Sequence, residues 1–387
     1  MSYTESEAYQ QEIADQYKER NLEIPTTEVT KIMASLGFDV SPEETQEAEA
    51  GNMNATFLTD SYVIKISNSS TKTAYSANTI VSEQLPDMKV VRVLKHDIRE
   101  YTDYEVLVME RAPGEAWLPH MPTMTEEENK RLFAEVLEVT KVSNKINATE
   151  KFGWLTDILD DEDNNGFDTY REQLEARLEA YIPKIQLQED LDQAAISEII
   201  TYVEARLHLF DSATPNFVHT DLHMGNVMQQ NGKLTAVIDW DSVQSVPSYA
   251  GLISLTGLID NPGQFVEGTP DYPAYKGKQF EYLYPELKQA YADELEDKQL
   301  AEKLNVMGVV EALMWMSEDW SREWNKEMVT NLSTKETPKD GDVSGTHFGK
   351  IVQKISREMG SVTIYADGKF TAEVVRPQSY LKLPSGK

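Results

Sequence analysis

The chain has 387 residues, a formal charge of −30 and no cysteine. With 66 acidic residues against 36 basic ones, the overall charge opposes general attraction to nucleic-acid phosphate or anionic lipid, which leaves room only for a local basic patch. The lack of cysteine removes a disulfide framework, a thiolate nucleophile and a Cys-ligated metal. The length and a hydrophobic content of 40% suit two or three lobes with a sizeable core.

The charge is spread along the chain. Residues 1–50 carry a net −9 and residues 336–387 a net +2, so most of the acidity lies in the body, as on a solvated acidic surface. The amino terminus is polar and acidic, without the basic and apolar regions of a secretory signal. No run of about 18 apolar residues occurs, so a cytoplasmic protein with no membrane partner is expected.

In chain order, residues 5–20 read as a charged helix and residues 27–35 as a second. Residues 41–49 read as a polar loop. Phe57 and residues 62–66 (YVIKI) read as strands around the turn Thr59-Asp60-Ser61. A helix over 76–85 and strands over 90–94 and 104–109 follow, and Pro113-Gly114 then breaks the chain. Beyond that break helices dominate. Residues 125–144 open with Thr-Glu-Glu-Glu, an N-terminal helix signal, and 168–181 and 191–210 follow. Short strands at 226–229 and 235–239 flank Asn231-Gly232, a strong hairpin turn. Helices return at 285–295 and 299–325. After a polar linker, a helix over 347–359 and a hairpin around Asp367-Gly368 close the chain. Strands first and helices later give an α+β protein with two unequal lobes.

The chemistry concentrates in residues 217–241, FVHTDLHMGNVMQQNGKLTAVIDWD. Asp221 is a carboxylate able to orient a hydroxyl nucleophile and take its proton. Asn226 and Asp239 are hard oxygen ligands of the kind Mg²⁺ prefers. Phosphoryl transfer needs this combination, an acceptor-orienting carboxylate beside ligands that neutralise phosphate charge.

This segment resembles the loop HGDxHxxN followed by (I/L)D(W/F)(E/D) of the aminoglycoside phosphotransferase and choline-kinase-like small-molecule kinases. His219, Asp221, His223, Asn226, Asp239, Trp240 and Asp241 fall in place. The resemblance implies a two-lobed protein-kinase-like fold with a small β-rich N-lobe and a larger, mainly helical C-lobe. It covers roughly residues 45–325, which gives an N-lobe (45–112) and a C-lobe (113–335), and leaves an N-terminal helical extension (1–44) and a C-terminal helix-plus-hairpin extension (336–387) without a match. It makes Asp221 the catalytic aspartate, Asn226 and Asp239 the Mg²⁺ ligands, and Lys65 the clamp on the phosphates of ATP or GTP. Glu83 would hold Lys65, and Gly51 and Asn54 would belong to the turn that covers the nucleotide. Backbone groups of Glu110 and Ala112 would meet the adenine edge.

Two departures stand out. Thr220 replaces a usual glycine, and Ala250 stands where the family often has an aspartate that braces the catalytic loop.

Among the histidines, His219 reads as a brace of the catalytic loop, and His223 as either a brace or an acceptor-site group. A zinc site is disfavoured, because no HExxH glutamate accompanies the pair. Met316, Trp320 and Trp324 share a helical face and read as core before substrate cage, while Glu318, Asp319 and Glu323 are candidate ammonium ligands. The expected activity is transfer of the γ-phosphate to a hydroxyl of a small molecule, such as an antibiotic or an amino-alcohol or sugar metabolite. The acidic body tilts that acceptor towards a cation. The alternative is a kinase-like nucleotide-binding or regulatory module without turnover.

Overall fold

The computed structural model describes residues 24–48, 55–67, 71–85, 88–155, 158, 166–188, 191–266 and 271–317, except the side chains at 264 and 315. The expected helices at 5–20 and 347–359 and the last hairpin lie outside these residues.

The first half is built on a five-stranded antiparallel sheet of order β1-β2-β3-β5-β4. Its strands are β1 (Gln46–Glu47), β2 (Ala55–Leu58), β3 (Tyr62–Ser67), β4 (Val93–Ile98) and β5 (Glu105–Glu110). Alternation along β3 decides what each face does. Ile64 and Ile66 point into a cluster with Phe57, Val106 and Val108, and Val29, Ile32 and Met33 of helix α1 (Thr26–Ser35) complete it. Residues 26–35 thus share their core with the sheet. Lys65, between the two isoleucines, leaves on the opposite face.

The strand expected at 90–94 begins later, at Val93. Val90 makes a parallel bridge to Val237, and Val91 is buried with Leu107, Met109 and Ala236. These residues tie the sheet to the second half of the chain. The strand itself runs through Lys95, His96 and Asp97, whose polarity hid it; His96 is held by Thr71 at 2.9 Å and by the stacked ring of Tyr75.

Helix α2 (Lys72–Gln84) follows the sheet's third strand, and β6 (Glu115–Ala116) opens the second half. Helix α3 (Glu126–Ser143) starts in a full capping box between Thr125 and Glu128 and buries Leu132, Phe133, Val136 and Leu137. Helix α4 (Tyr170–Gln186) has the same box at Thr169 and Glu172, and Asp192 caps α5 (Gln193–Glu204). The helix expected over 191–210 is therefore shorter and ends in a separate 3-10 turn at Leu207–Phe210.

Helices α4 and α5 pack with α9 (Leu300–Ser317) around a second core that includes Leu174, Val203, Val309 and Leu313. Between them lie α6 (Leu252–Asp260), α7 (Tyr272–Tyr275) and α8 (Tyr284–Ala290). Helix α6, with no counterpart in the sequence reading, is almost wholly buried and so shows no polar face to set a period. Among the described residues no helix is long and apolar enough to cross a membrane.

Candidate active site

The site is assembled at one end of a hairpin. Strands β9 (Val227–Gln230) and β10 (Lys233–Val237) meet at Asn231-Gly232, both with positive φ, as a two-residue hairpin turn requires. The pairing runs to Val227 opposite Val237, and the Ile238 amide then donates to the Asn226 carbonyl at 2.9 Å. Asn226 and Asp239 consequently leave the hairpin side by side. Asp239 takes left-handed backbone angles (φ 64°, ψ 49°), which aspartate tolerates better than most residues. That turn sends the chain through Trp240–Ser242 into β11 (Val243–Val246), which pairs with β8 (Asn216–His219) so that Val243 faces His219. β7 (Gly153–Trp154) flanks β11 on the other side. The loop that carries Asp221 is thereby folded back over the hairpin end.

Neutral hydrogen bonds shape this loop. The buried His219 ring accepts the Asp221 amide at Nδ1 (3.3 Å), so its Nε2–H donates to the Ile238 carbonyl (3.0 Å). Burial lowers the pKa of His219 despite that bond and the neighbouring aspartates. Asn226 donates its amide to the Asp221 carbonyl at 2.8 Å, which leaves the side-chain oxygen as the end available to a cation. Gly225 is required here, because a Cβ would stand 2.7 Å from the His223 ring. His223 accepts the Gly225 amide at 3.0 Å, stacks on Phe265, and has Nε2 4.0 Å from Asp221 Oδ2.

Charge shapes the other side. Lys65 Nζ lies 2.7 Å from Asp239 Oδ1 and 2.8 Å from Asp241 Oδ2. Burial opposes the charge on Lys65, but the two carboxylates outweigh it and raise its pKa. Burial also works against ionisation of Asp239, where Lys65 and both histidines prevail and the pKa falls. At Asp241, burial and the neighbouring Asp239 outweigh Lys65, and the pKa rises.

Glu83 is not the partner of Lys65. It is exposed on α2, whose inward residues are Ala74, Ala77, Asn78 and Val81. At 100° per residue, position 83 lies about 200° round from Val81, off the buried stripe. Asp241, a residue of the motif without an expected role, takes the place instead.

At the junction between the halves, the Glu110 amide donates to the Arg92 carbonyl at 2.9 Å and Arg92 also pairs with the Glu110 carboxylate. Among the described residues nothing takes the Ala112 amide. Gly114 has φ 88°, and a Cβ there would fall 2.1 Å from the Gln229 carbonyl oxygen, so the junction closes only over glycine. Ala250 is buried in apolar surroundings with Val218 and Val246. Gly51, Asn54, Glu318, Asp319, Glu323, Trp320 and Trp324 lie outside the described residues, and Met316 is core.

The donor set fits Mg²⁺. Among the described residues no group of three or more His, Asp and Glu could hold a metal alone. Mg²⁺ needs no such cage, since it binds through one or two protein oxygens together with substrate phosphates and water. The Asn226 amide oxygen and the Asp239 carboxylate are such a pair.

A family model, the phosphotransferase enzyme family, matches residues 44–252. The chain belongs to that family. It is a small-molecule phosphotransferase, and the matched span takes in the five-stranded sheet, the hairpin and the Asp221 loop. Among curated proteins no sequence matches. Among solved structures, a thermostable mutant of aminoglycoside phosphotransferase APH(4)-Ia, in a ternary complex with AMP-PNP and hygromycin B, superposes with a TM-score of 0.54 at 14% identity. The match covers 85% of this chain and 98% of that one. The streptomycin–ATP–APH(2")-IIa ternary complex gives 0.52 at 15% identity, over 75% and 90% of the two chains. At these identities the likeness establishes the two-lobed, kinase-like α+β fold.

Proposed function

We propose that this phosphotransferase moves the γ-phosphate of ATP or GTP to a hydroxyl of a small molecule by direct in-line transfer. The observation that carries the reading is the convergence of Asp221, Asn226, Asp239 and Lys65 at one hairpin end. Asp221 orients the acceptor hydroxyl and takes its proton as the bond to phosphorus forms. Lys65 exchanges its carboxylate partners for the nucleotide's phosphate oxygens, and Asn226 and Asp239 hold Mg²⁺. When bound, that ion neutralises charge on the transferring group. His219 keeps the Asp221 loop in place through both ring nitrogens. The Ala112 amide and the Glu110 carbonyl meet the adenine edge, with Gly51 and Asn54 over the phosphates.

In this reading residues 45–112 are the nucleotide lobe, 113–335 carry the catalytic loop and acceptor site, and the protein works in the cytoplasm. The ternary complexes of the fold relatives, which hold aminoglycosides, and the acidic body of this chain both support a cationic acceptor. The experiment is phosphate release from Mg-ATP and Mg-GTP with a panel of aminoglycosides, macrolides, amino alcohols and sugars. One acceptor should raise nucleotide consumption above the rate in water, and Asp221→Asn should abolish the increase while nucleotide still shifts the melting temperature. Wild-type turnover in that variant would overturn the assignment.

A further inference from the structure

Behind Asp221 runs a chain of side-chain hydrogen bonds that the transfer chemistry itself does not use. Arg177 on α4 donates from Nη2 to Gln244 Oε1 at 2.5 Å. Gln244, in the middle strand of the three-stranded sheet β7-β11-β8, donates from Nε2 to Thr220 Oγ1 at 3.0 Å. Thr220 donates its hydroxyl proton to the Ser242 carbonyl at 2.6 Å. Each direction is forced. A guanidinium can only donate, so it fixes which end of the Gln244 amide is oxygen. The amide N–H then occupies Thr220 Oγ1 as acceptor, which turns the hydroxyl proton towards Ser242.

The two ends of this chain are informative. Thr220 immediately precedes Asp221, and Ser242 immediately follows Asp241, a partner of Lys65. The bond between them pins the acceptor-orienting loop to the segment that holds the phosphate-clamping lysine.

We propose that Arg177, Gln244 and Thr220 form a positioning relay that sets the distance and angle between Asp221 and the Asp239–Asp241–Lys65 cluster. The inference rests on Asp221 being the acceptor-orienting group. Reacting groups misplaced by about 1 Å lose on the order of 10²-fold in rate, so loosening this contact affects the chemical step and leaves nucleotide binding largely intact.

The test uses the full chain, with water as the acceptor and phosphate release from Mg-ATP as the signal. The variants are Thr220→Val, Gln244→Leu, their double, Thr220→Ser and Gln244→Glu. Each of the first two should lower kcat about tenfold with KM for Mg-ATP within about twofold, and the double should be no slower than the worse single. Thr220→Ser, which keeps the hydroxyl, should match the wild type. Gln244→Glu keeps the Arg177 bond but cannot donate to Thr220, and should lose kcat like Gln244→Leu. An unchanged kcat in Thr220→Val or Gln244→Leu, or losses that multiply in the double, would overturn the relay.

Asp221→Asn, measured alongside, separates the two levels. If it keeps wild-type turnover, the acceptor-orienting reading falls and the relay with it. If it loses turnover while Thr220→Val and Gln244→Leu do not slow, only the relay falls. Where turnover is too slow to measure, hydrogen exchange of peptides spanning 217–226 in Mg-ATP decides. Faster exchange in both singles, no faster in the double, supports the relay, and unchanged exchange overturns it.

Discussion

The Lys65 side of the site is held by charge, with one partly buried ammonium between the carboxylates of Asp239 and Asp241. The Asp221 side is held by neutral groups, among them the His219 ring, the Asn226 amide and the hydroxyl of Thr220. The contrast matches what the proposed transfer asks of each side when substrates arrive. Ion pairs exchange partners readily, because phosphate oxygens can replace carboxylates around Lys65 and a cation can replace Lys65 at Asp239. Neutral bonds to backbone carbonyls have no such competitor, so the loop that aims Asp221 keeps its shape through the exchange. In the proposed transfer the charged side adapts and the neutral side stays put.

The largest expected effect breaks the neutral side at its tip. Asp221→Asn should lower turnover by about 10²–10⁴, the usual contribution of a positioned general base, with nucleotide affinity retained by thermal shift. On the charged side, Lys65→Met leaves two carboxylates facing each other without a cation. Both are partly exposed, so the stability loss should be modest, about 1–3 kcal/mol by urea denaturation, with KM for nucleotide raised at least about tenfold. A melting curve identical to the wild type would mean that the ion-pair cluster contributes nothing to the fold.

A finer comparison separates Asp241 from Glu83. Asp241→Asn should lower kcat/KM for Mg-ATP about tenfold, while Glu83→Gln, on the exposed face of α2, should stay within about twofold. The reverse order would return the glutamate to the role of lysine partner. The smallest effect concerns His219. The unfolded chain takes up a proton near the ordinary histidine value of about 6.5, whereas burial keeps the folded ring neutral to lower pH. Stability should therefore fall as pH drops below about 6.5, and His219→Gln should flatten that part of the melting profile between pH 7.5 and 5.5. An unchanged slope would locate the acid sensitivity elsewhere.

The parts of the site that were legible in the sequence are local ones. Asn231-Gly232 specifies a tight hairpin, and the spacing from His219 to Asp239 places the polar groups at its open end. Alternation along β3 sends Lys65 away from the isoleucine core. The parts that were not legible depend on burial or on distant partners. Helix α6 carries no amphipathic period because it is enclosed, and β4 is a polar strand recognisable only by its pairing with β5. The helix expected over 191–210 stops after Glu204, since the chain turns there to enter β8.

The motif at 217–241 was enough by itself to indicate phosphoryl transfer, and the −30 charge set the expectation about partners. Those inferences need only composition and short-range spacing, which a chain carries wherever it folds. The holder of Lys65 is a different kind of fact. Asp241 is 176 residues away in sequence, Glu83 only 18, and the nearer residue loses because packing of α2 turns it to solvent. The route from Arg177 through Gln244 to Thr220 likewise joins a helix, a strand and a loop that no period links. Pairings across such separations follow from how faces are buried against one another, and only the tertiary structure decides that.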